Sequence, residues 1–223
     1  NWTSPWIRST AGLTDVAHKN GVTVGTLMSI PFGNSVYLTS WRSDVYSRVL
    51  FRLTQKSGDK YLYAEPLVRM MKYYGINGIG FNSEFRTSSS VMTQLSEFFV
   101  ACHKEAEKLN WKFEVHWYDG TSDDGQIHFD GGLGYHNQKI FGDKDNIATD
   151  MLFANYNWGP SHLSGSVNTA KRLGRSSFDY YAGFDIQGRG LRQASWSALL
   201  DNDISIGFWG AHKQSLIHQS ATD

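Results

Sequence analysis

The chain has 223 residues, 40% of them hydrophobic and 14% aromatic, and its 21 basic side chains balance its 21 acidic ones. This apolar content excludes an intrinsically disordered chain, and the length suits one domain with a sizeable core. A net charge near zero gives no global field to attract nucleic acid or an anionic membrane, so we expect neither as a partner.

Single features narrow the protein class further. Cys102 is the only cysteine, which excludes an internal disulfide and a zinc site made of thiolates. No stretch reaches the ~18 apolar residues that span a bilayer. No signal peptide precedes Asn1, and we interpret this end as processed or trimmed. The compartment is therefore open, although we favour a secreted or cell-surface location over the cytoplasm, and we expect a monomer.

Apolar runs alternate with amphipathic stretches along the chain. The runs predict strands at Val22–Ile30, Gly78–Asn82, Lys112–Tyr118, Asp150–Asn157, Asp179–Asp185 and Ile204–Trp209. The amphipathic stretches predict helices at Leu13–Lys19, Tyr61–Tyr74, Val91–Leu109, Ser166–Leu173 and Leu191–Asn202. Strands that alternate with helices indicate βαβ units around a parallel sheet.

Such a sheet forms either a doubly wound open fold or a (β/α)₈ TIM barrel. Residues 28–34, which follow the first strand, lack the GxGxxG spacing of a phosphate loop. Polar and aromatic side chains follow several strands, which is where a barrel builds its active site. We therefore predict an α/β TIM barrel over residues 1–223, with the first one or two strands lying upstream of Asn1 or misread.

Asn82 and Glu84 end the second predicted strand and point to the same face of it. A carboxyl beside apolar walls can protonate a glycosidic oxygen, and an amide can hold the 2-acetamido group of a hexosamine, whose carbonyl then attacks the anomeric carbon. The same two residues also fit a helix cap followed by a solvated acid. The short Asn-x-Glu pattern does not decide between these two readings.

The next strand places Tyr118 where its hydroxyl could bind an acetamide, although Trp117 and Tyr118 also fit ordinary core aromatics. Asp119 could be a second carboxylate, which would open a two-acid mechanism. Later, Asn155 to Trp158 combines amides with flat rings that suit sugars. Asp185 either contacts substrate or pairs with Arg189. The His and Asp spacings match no known metal motif, so we expect no metal and no cofactor.

Six ordered blocks carry a family resemblance. They are AHKNGVTVGT at residues 17–26, YYGING at 73–78, NSE at 82–84, WYDG at 117–120, NYNW at 155–158 and YAGFDIQGRG at 181–190. Together they resemble glycoside hydrolase family 85, the endo-β-N-acetylglucosaminidases that act on N-linked glycans. The resemblance runs from about Asn20 to Trp209.

The resemblance implies a (β/α)₈ barrel that hydrolyses the GlcNAc-β1,4-GlcNAc bond of an N-linked glycan or glycoprotein with retention, assisted by the substrate. By matching position, Glu84 is expected to be the general acid/base. Asn82 is expected to orient the acetamido group and stabilise the oxazolinium intermediate, and Tyr118 to contact the same group. Family members usually carry further modules, so the chain is expected to be part of a longer one.

Further residues are expected to bind the substrate. They are Trp117, Asp119, Phe129, Asn155, Trp158, Asp185 and Trp209. Phe129 stands where family members often have Trp. Two other functions stay open at this point: a glycan-binding barrel without turnover, and a chitinase-type hexosaminidase that uses Glu84 with Asp119.

Overall fold

A computed structural model describes residues 6–7, 9–30, 49–190 and 196–210. Its strands are β1 (Trp6–Ile7), β2 (Gly25–Ile30), β3 (Lys56–Ser57), β4 (Lys60–Tyr61), β5 (Gly78–Ser83), β6 (Glu114–Tyr118), β7 (Met151–Phe153), β8 (Tyr180–Asp185) and β9 (Ser205–Trp209). Its helices are α1 (Ala11–Lys19), α2 (Ala64–Tyr73), α3 (Ser89–Lys108), α4 (Gln138–Phe141), α5 (Pro160–Arg172), α6 (Ile186–Arg189) and α7 (Trp196–Leu200). Residues 49–53 are also helical.

The main sheet has the order β1-β2-β5-β6-β7-β8-β9, in which β2 and β5 to β9 are parallel and β1 is antiparallel. A cavity of about 580 Å³ is lined by residues of β2, β5, β6, β7 and β9, so the sheet curls around it. This curled parallel sheet confirms the predicted α/β class as part of a TIM barrel. All six predicted strands are present, while β1 and the β3–β4 hairpin were not predicted.

The helix boundaries follow from local capping. Ser88 Oγ accepts a hydrogen bond from the Val91 amide at 3.3 Å, so α3 begins at Ser89. Pro160 occupies the first turn of α5, which therefore begins six residues before the predicted Ser166. Residues 191–195 of the last predicted helix lie outside the described residues. No helix in the described ranges has both the length and the apolar character needed to cross a bilayer.

The two faces of the strands have different surroundings. Phe81 of β5 and Trp117 of β6 are buried on the outer face, where their rings pack against Phe99 of α3 at centroid distances of 5.0 and 6.1 Å. Burying a large side chain of this kind contributes ~1.5–3 kcal/mol to stability. Residues in alternation with them, such as Asn82 and Tyr118, line the inner cavity.

Gly183 of β8 packs closely against Phe153 and Ala154. A Cβ there would overlap the carbonyl oxygen of Ala154 and come within 2.7 Å of Cε1 of Phe153. We expect Gly183→Ala to lower the free energy of unfolding by ~1–3 kcal/mol, because backbone and ring must both move. Denaturant unfolding of the full-length protein measures this change.

Gly165→Ala is the matched control for this substitution. Gly165 is exposed within α5, and a Cβ there meets nothing within 4 Å. We expect Gly165→Ala to raise stability by ~0.5–1 kcal/mol through helix propensity. Equal unfolding midpoints for Gly183→Ala and the wild type would contradict the packing described for β8.

Candidate active site

Asn82 and Glu84 lie at the carboxyl end of β5. Their neighbours Phe81, Ser83 and Phe85 are buried, whereas Asn82 and Glu84 are only partly covered. This follows the alternation that the sequence predicts and places the amide and the carboxyl on the same side of the strand. The arrangement brings a carboxyl and an amide side by side at the carboxyl end of β5.

The end of β5 is fixed by the loop that follows β6. Ser83 Oγ donates a hydrogen bond to the carbonyl of Tyr118 at 2.6 Å, and the Ser83 carbonyl accepts from the amide and hydroxyl of Thr121 at 2.7 and 2.9 Å. A Cβ at Gly120 would collide with the Ser83 carbonyl. Glycine at position 120 therefore allows the close approach that holds Glu84 in place.

The Glu84 carboxyl makes no hydrogen bond or ion pair with any described residue. Burial raises its pKa above the ordinary 4.5, because the charged form loses water and gains no compensating partner. Glu84 therefore keeps its proton to a higher pH than a solvated glutamate does.

Tyr118 stands at the centre of a group of aromatic side chains. The rings of Phe129, Phe153 and Tyr156 lie 6.1, 6.2 and 6.3 Å from its ring. Its hydroxyl donates a hydrogen bond to Oδ1 of Asn155 at 3.0 Å. Burial is the main cause that raises the pKa of Tyr118, and the charges of Tyr156 and Glu84 raise it further, so Tyr118 stays a neutral hydroxyl. The group forms a wall of flat rings with polar edges, which suits a sugar.

Phe129 adopts the left-handed backbone conformation, with φ of 53°. Its carbonyl accepts a hydrogen bond from Nδ2 of Asn157 at 2.9 Å, which helps to hold this conformation. Such a conformation at a large residue costs ~1–3 kcal/mol and is found mainly at functional sites. In this conformation the Phe129 ring lies beside that of Tyr118.

Trp117 and Asp119 are both buried in this structure, and their contact with a substrate stays a prediction. Trp117 is fully buried on the outer face, and its Nε1 donates to the Thr121 carbonyl at 3.0 Å. Only 1% of Asp119 is exposed, and it accepts hydrogen bonds from Gly131 N at 2.6 Å and from Asn137 Nδ2 at 3.1 Å. Burial raises the Asp119 pKa to about 7. Through these hydrogen bonds both residues hold the loop that follows β6 in place.

Trp158, Asp185 and Trp209 lie at the carboxyl ends of β7, β8 and β9 or just after them. Trp158 Nε1 donates to the Gly183 carbonyl at 2.8 Å, so its indole is anchored and only partly accessible. Asp185 is paired in register with Trp209 on β9. Asp185 Oδ1 also accepts from the Gly188 amide at 2.9 Å and so caps α6.

Arg189 does not form a salt bridge with Asp185 in the described part of the chain. Its guanidinium instead lies 5.7 Å from the ring centre of Tyr156. The sequence did not single out Tyr156, although it belongs to the Asn-Tyr-Asn-Trp cluster and lines the cavity together with Phe153. The aromatic residues at the end of β7 and just after it were the signal that could have identified both Phe153 and Tyr156.

Curated relatives match most of this chain. The cytosolic endo-beta-N-acetylglucosaminidase of Gallus gallus is 28% identical over 179 residues, which is 79% of this chain and 22% of the relative. That of Homo sapiens is 27% identical over 183 residues, 80% of this chain and 22% of the relative. The chain thus spans about a fifth of the length of these relatives.

These names correct one expectation from the sequence. The relatives from Gallus gallus, Homo sapiens, Danio rerio and Arabidopsis thaliana are all named cytosolic enzymes. The expected secreted or cell-surface location is therefore wrong. A near-zero net charge and a single cysteine fit either compartment, so the preference had no support in the residues themselves.

The fold also matches solved structures. The glycoside hydrolase domain of Endo-D from Streptococcus pneumoniae R6 is 26% identical with a TM-score of 0.76, and the match covers 88% of this chain and 31% of that one. A fungal endo-beta-N-acetylglucosaminidase of glycosyl hydrolase family 18 shares the fold at 10% identity, with a TM-score of 0.50 over 89% of this chain and 68% of that one. The sequence profile of glycosyl hydrolase family 85 matches residues 9–217. The chain belongs to glycosyl hydrolase family 85.

Proposed function

We propose that this chain is the catalytic barrel part of a longer cytoplasmic endo-β-N-acetylglucosaminidase. It hydrolyses the GlcNAc-β1,4-GlcNAc bond in the core of N-linked glycans. The observation that carries this proposal is the pairing of Glu84 with Asn82 at the mouth of the barrel: the carboxyl has a raised pKa and no described ionic partner, and the amide lies on the same side of β5. The names of the relatives support the same activity.

The proposed reaction begins with the proton of Glu84. Glu84 donates it to the glycosidic oxygen while the carbonyl oxygen of the substrate's own 2-acetamido group attacks the anomeric carbon. The bond from that carbon to the glycosidic oxygen breaks, and the second GlcNAc leaves as a neutral alcohol. Asn82 Oδ1 accepts a hydrogen bond from the acetamide N–H and so stabilises the positive oxazolinium.

Water completes the reaction. Glu84, now a carboxylate, takes a proton from a water molecule whose oxygen attacks the anomeric carbon from the side that the leaving group vacated. The oxazolinium ring opens, and two displacements together retain the β configuration. Glu84 ends protonated, ready for the next cycle, and no cofactor takes part.

Asp119 is a poor candidate for a second catalytic carboxylate. It lies beneath the surface, and its two oxygens are already occupied by backbone and amide donors, among them Asn155 N at 3.3 Å. Glu84 and Asp119 therefore do not face a common substrate, which disfavours the chitinase-type alternative. A barrel that only binds glycans is disfavoured because both Asn82 and Glu84 are in place.

Mass spectrometry of a glycoprotein that carries high-mannose glycans tests the proposal. We expect incubation with the full-length protein to leave a single GlcNAc on asparagine and to release a glycan that ends in one GlcNAc of β configuration. An intact glycan on high-mannose, hybrid and complex substrates alike would contradict the proposal. Cleavage of chitin oligosaccharides alone would favour the chitinase-type activity.

A further inference from the structure

The loop between β6 and α4 gathers three metal-binding side chains that the proposed reaction does not use. They are His128, Asp130 and His136, and their candidate ligand atoms all lie within 4.8 Å of one another. The sequence predicted no metal site, because the spacing His-x-Asp-x₅-His matches no known motif. The fold of the loop, not a helix or strand period, brings the three together.

We propose that this loop binds one zinc ion through His128, Asp130 and His136. Two imidazoles and a carboxylate are a ligand set that Zn²⁺ favours, and a fourth, open position would be filled by water. Tetrahedral ligands at normal zinc distances are ~3.3 Å apart, so side chains within 4.8 Å need to close by at most ~1.5 Å. His128 and His136 are 30% and 45% exposed, which leaves them free to move that far.

The hydrogen bonds around the cluster leave a gap that a cation would fill. Oδ2 of Asp130 is buried and has no hydrogen-bond partner among the described residues, whereas Oδ1 lies 3.1 Å from Nδ1 of His136. A buried carboxylate oxygen without a partner is costly, and a bound cation removes that cost. Asp124 Oδ2, 2.8 Å from Nε2 of His128, places a further negative charge at the edge of the cluster.

The arrangement of the two imidazoles also fits a shared ion. The rings of His128 and His136 are stacked, with centroids 4.4 Å apart and planes 20° apart. Two independent surface ion pairs do not require such stacking, whereas ligands that converge on one ion must approach one another. Without zinc, His136 pairs with Asp130 and His128 pairs with Asp124. With zinc bound, His136 and Asp130 would both contact the ion instead of each other.

A zinc ion here would affect the aromatic wall of the cavity through Phe129, which lies between His128 and Asp130 in the sequence. The backbone of Phe129 is held at a φ of 53°, and its ring lies 6.1 Å from that of Tyr118. Fixing His128 and Asp130 would fix the strained residue between them. The ion is thus a positioning element for the aromatic wall, and its binding does not depend on the proposed activity.

Zinc binding by the full-length protein tests this inference. After treatment with EDTA and dialysis, we expect the wild type to take up one zinc equivalent more than the variant His128→Gln/His136→Gln, measured by equilibrium dialysis and elemental analysis. The difference between the two proteins isolates this loop from any other zinc-binding part. His136→Gln alone is expected to weaken binding at this site at least ~10-fold, since even the loss of an outer-shell partner weakens metal binding this much.

His162→Gln is the control, because His162 is an exposed histidine on α5 outside the loop. It should bind zinc as the wild type does. Co²⁺ gives a second readout: the visible absorption of tetrahedral cobalt is expected in the wild type and should fall in the double variant. Circular dichroism checks that the double variant is folded. Equal zinc uptake by the wild type and the folded double variant would overturn the proposal.

Discussion

Glu84→Gln is expected to slow hydrolysis of the natural glycan by ~10²- to 10⁴-fold, the range that a general acid contributes. Glutamine has the same shape but cannot donate a proton to the glycosidic oxygen. Steady-state cleavage of a labelled high-mannose glycopeptide by the full-length variant measures the loss. Glu107→Gln is the matched control, because Glu107 is exposed on α3 and should leave the rate unchanged.

A substrate with a better leaving group separates acid catalysis from damage to the site. An aryl glycoside of the same glycan expels a phenolate that needs little protonation. We therefore expect Glu84→Gln to recover much of its lost rate on the aryl substrate, relative to the wild type. An equal loss on both substrates would mean that Glu84 supports the site in some other way than by donating a proton.

The pH dependence of kcat/KM follows from the same residue. The reaction needs protonated Glu84, so the rate should be constant below the pKa of Glu84 and fall as the pH rises through it. Burial raises that pKa above 4.5, which moves the fall to higher pH than for a solvated carboxyl. Asn82 does not ionise, so no acidic limb is expected from a second group. A bell-shaped profile would instead indicate a second catalytic carboxylate.

The strands and the Asn82–Glu84 pair could be predicted because a strand has a period of two. Apolar runs located β2, β5, β6, β8 and β9 within three residues at each end, and alternation alone placed Asn82 and Glu84 together. Two helix boundaries differ from their predictions. Pro160 starts α5 earlier than predicted, and Tyr61, predicted to begin the second helix, instead pairs with Lys56 in the β3–β4 hairpin.

Other parts of the site could not be predicted from the periodic spacing of apolar residues. Both faces of a barrel strand are covered, so sequence alone did not show that Trp117 faces the helices while Tyr118 faces the cavity. Asp119 follows the same strand, and its burial depends on Gly131 and Asn137, which come from a loop without regular spacing. The His128–His136 cluster depends on that same loop, in which Phe129 has a positive φ that no propensity of phenylalanine suggests.

Asn82→Ala is expected to lower kcat by ~10²-fold or more, as the loss of one hydrogen bond to a developing charge does elsewhere. The acetamido group would no longer be held against the anomeric carbon. Binding of the glycan should change far less, because the aromatic wall of Tyr118, Phe129 and Tyr156 stays in place. Calorimetric binding to an uncleaved thioglycoside, measured beside kcat, separates the two effects. Asn168→Ala, at an exposed position of α5, is the control.

A substrate series then shows whether the acetamide is the nucleophile that Asn82 serves. Replacing the acetyl hydrogens by fluorine, one at a time, weakens the carbonyl oxygen as a nucleophile. The rate of the wild type should therefore fall with each fluorine, and by much more than any change in KM. If the rate did not change with fluorination, the nucleophile would be a group of the protein and not the acetamide. The oxazolinium mechanism would then be wrong, even if Asn82→Ala were inactive, because Asn82 would be acting on something other than the acetamide.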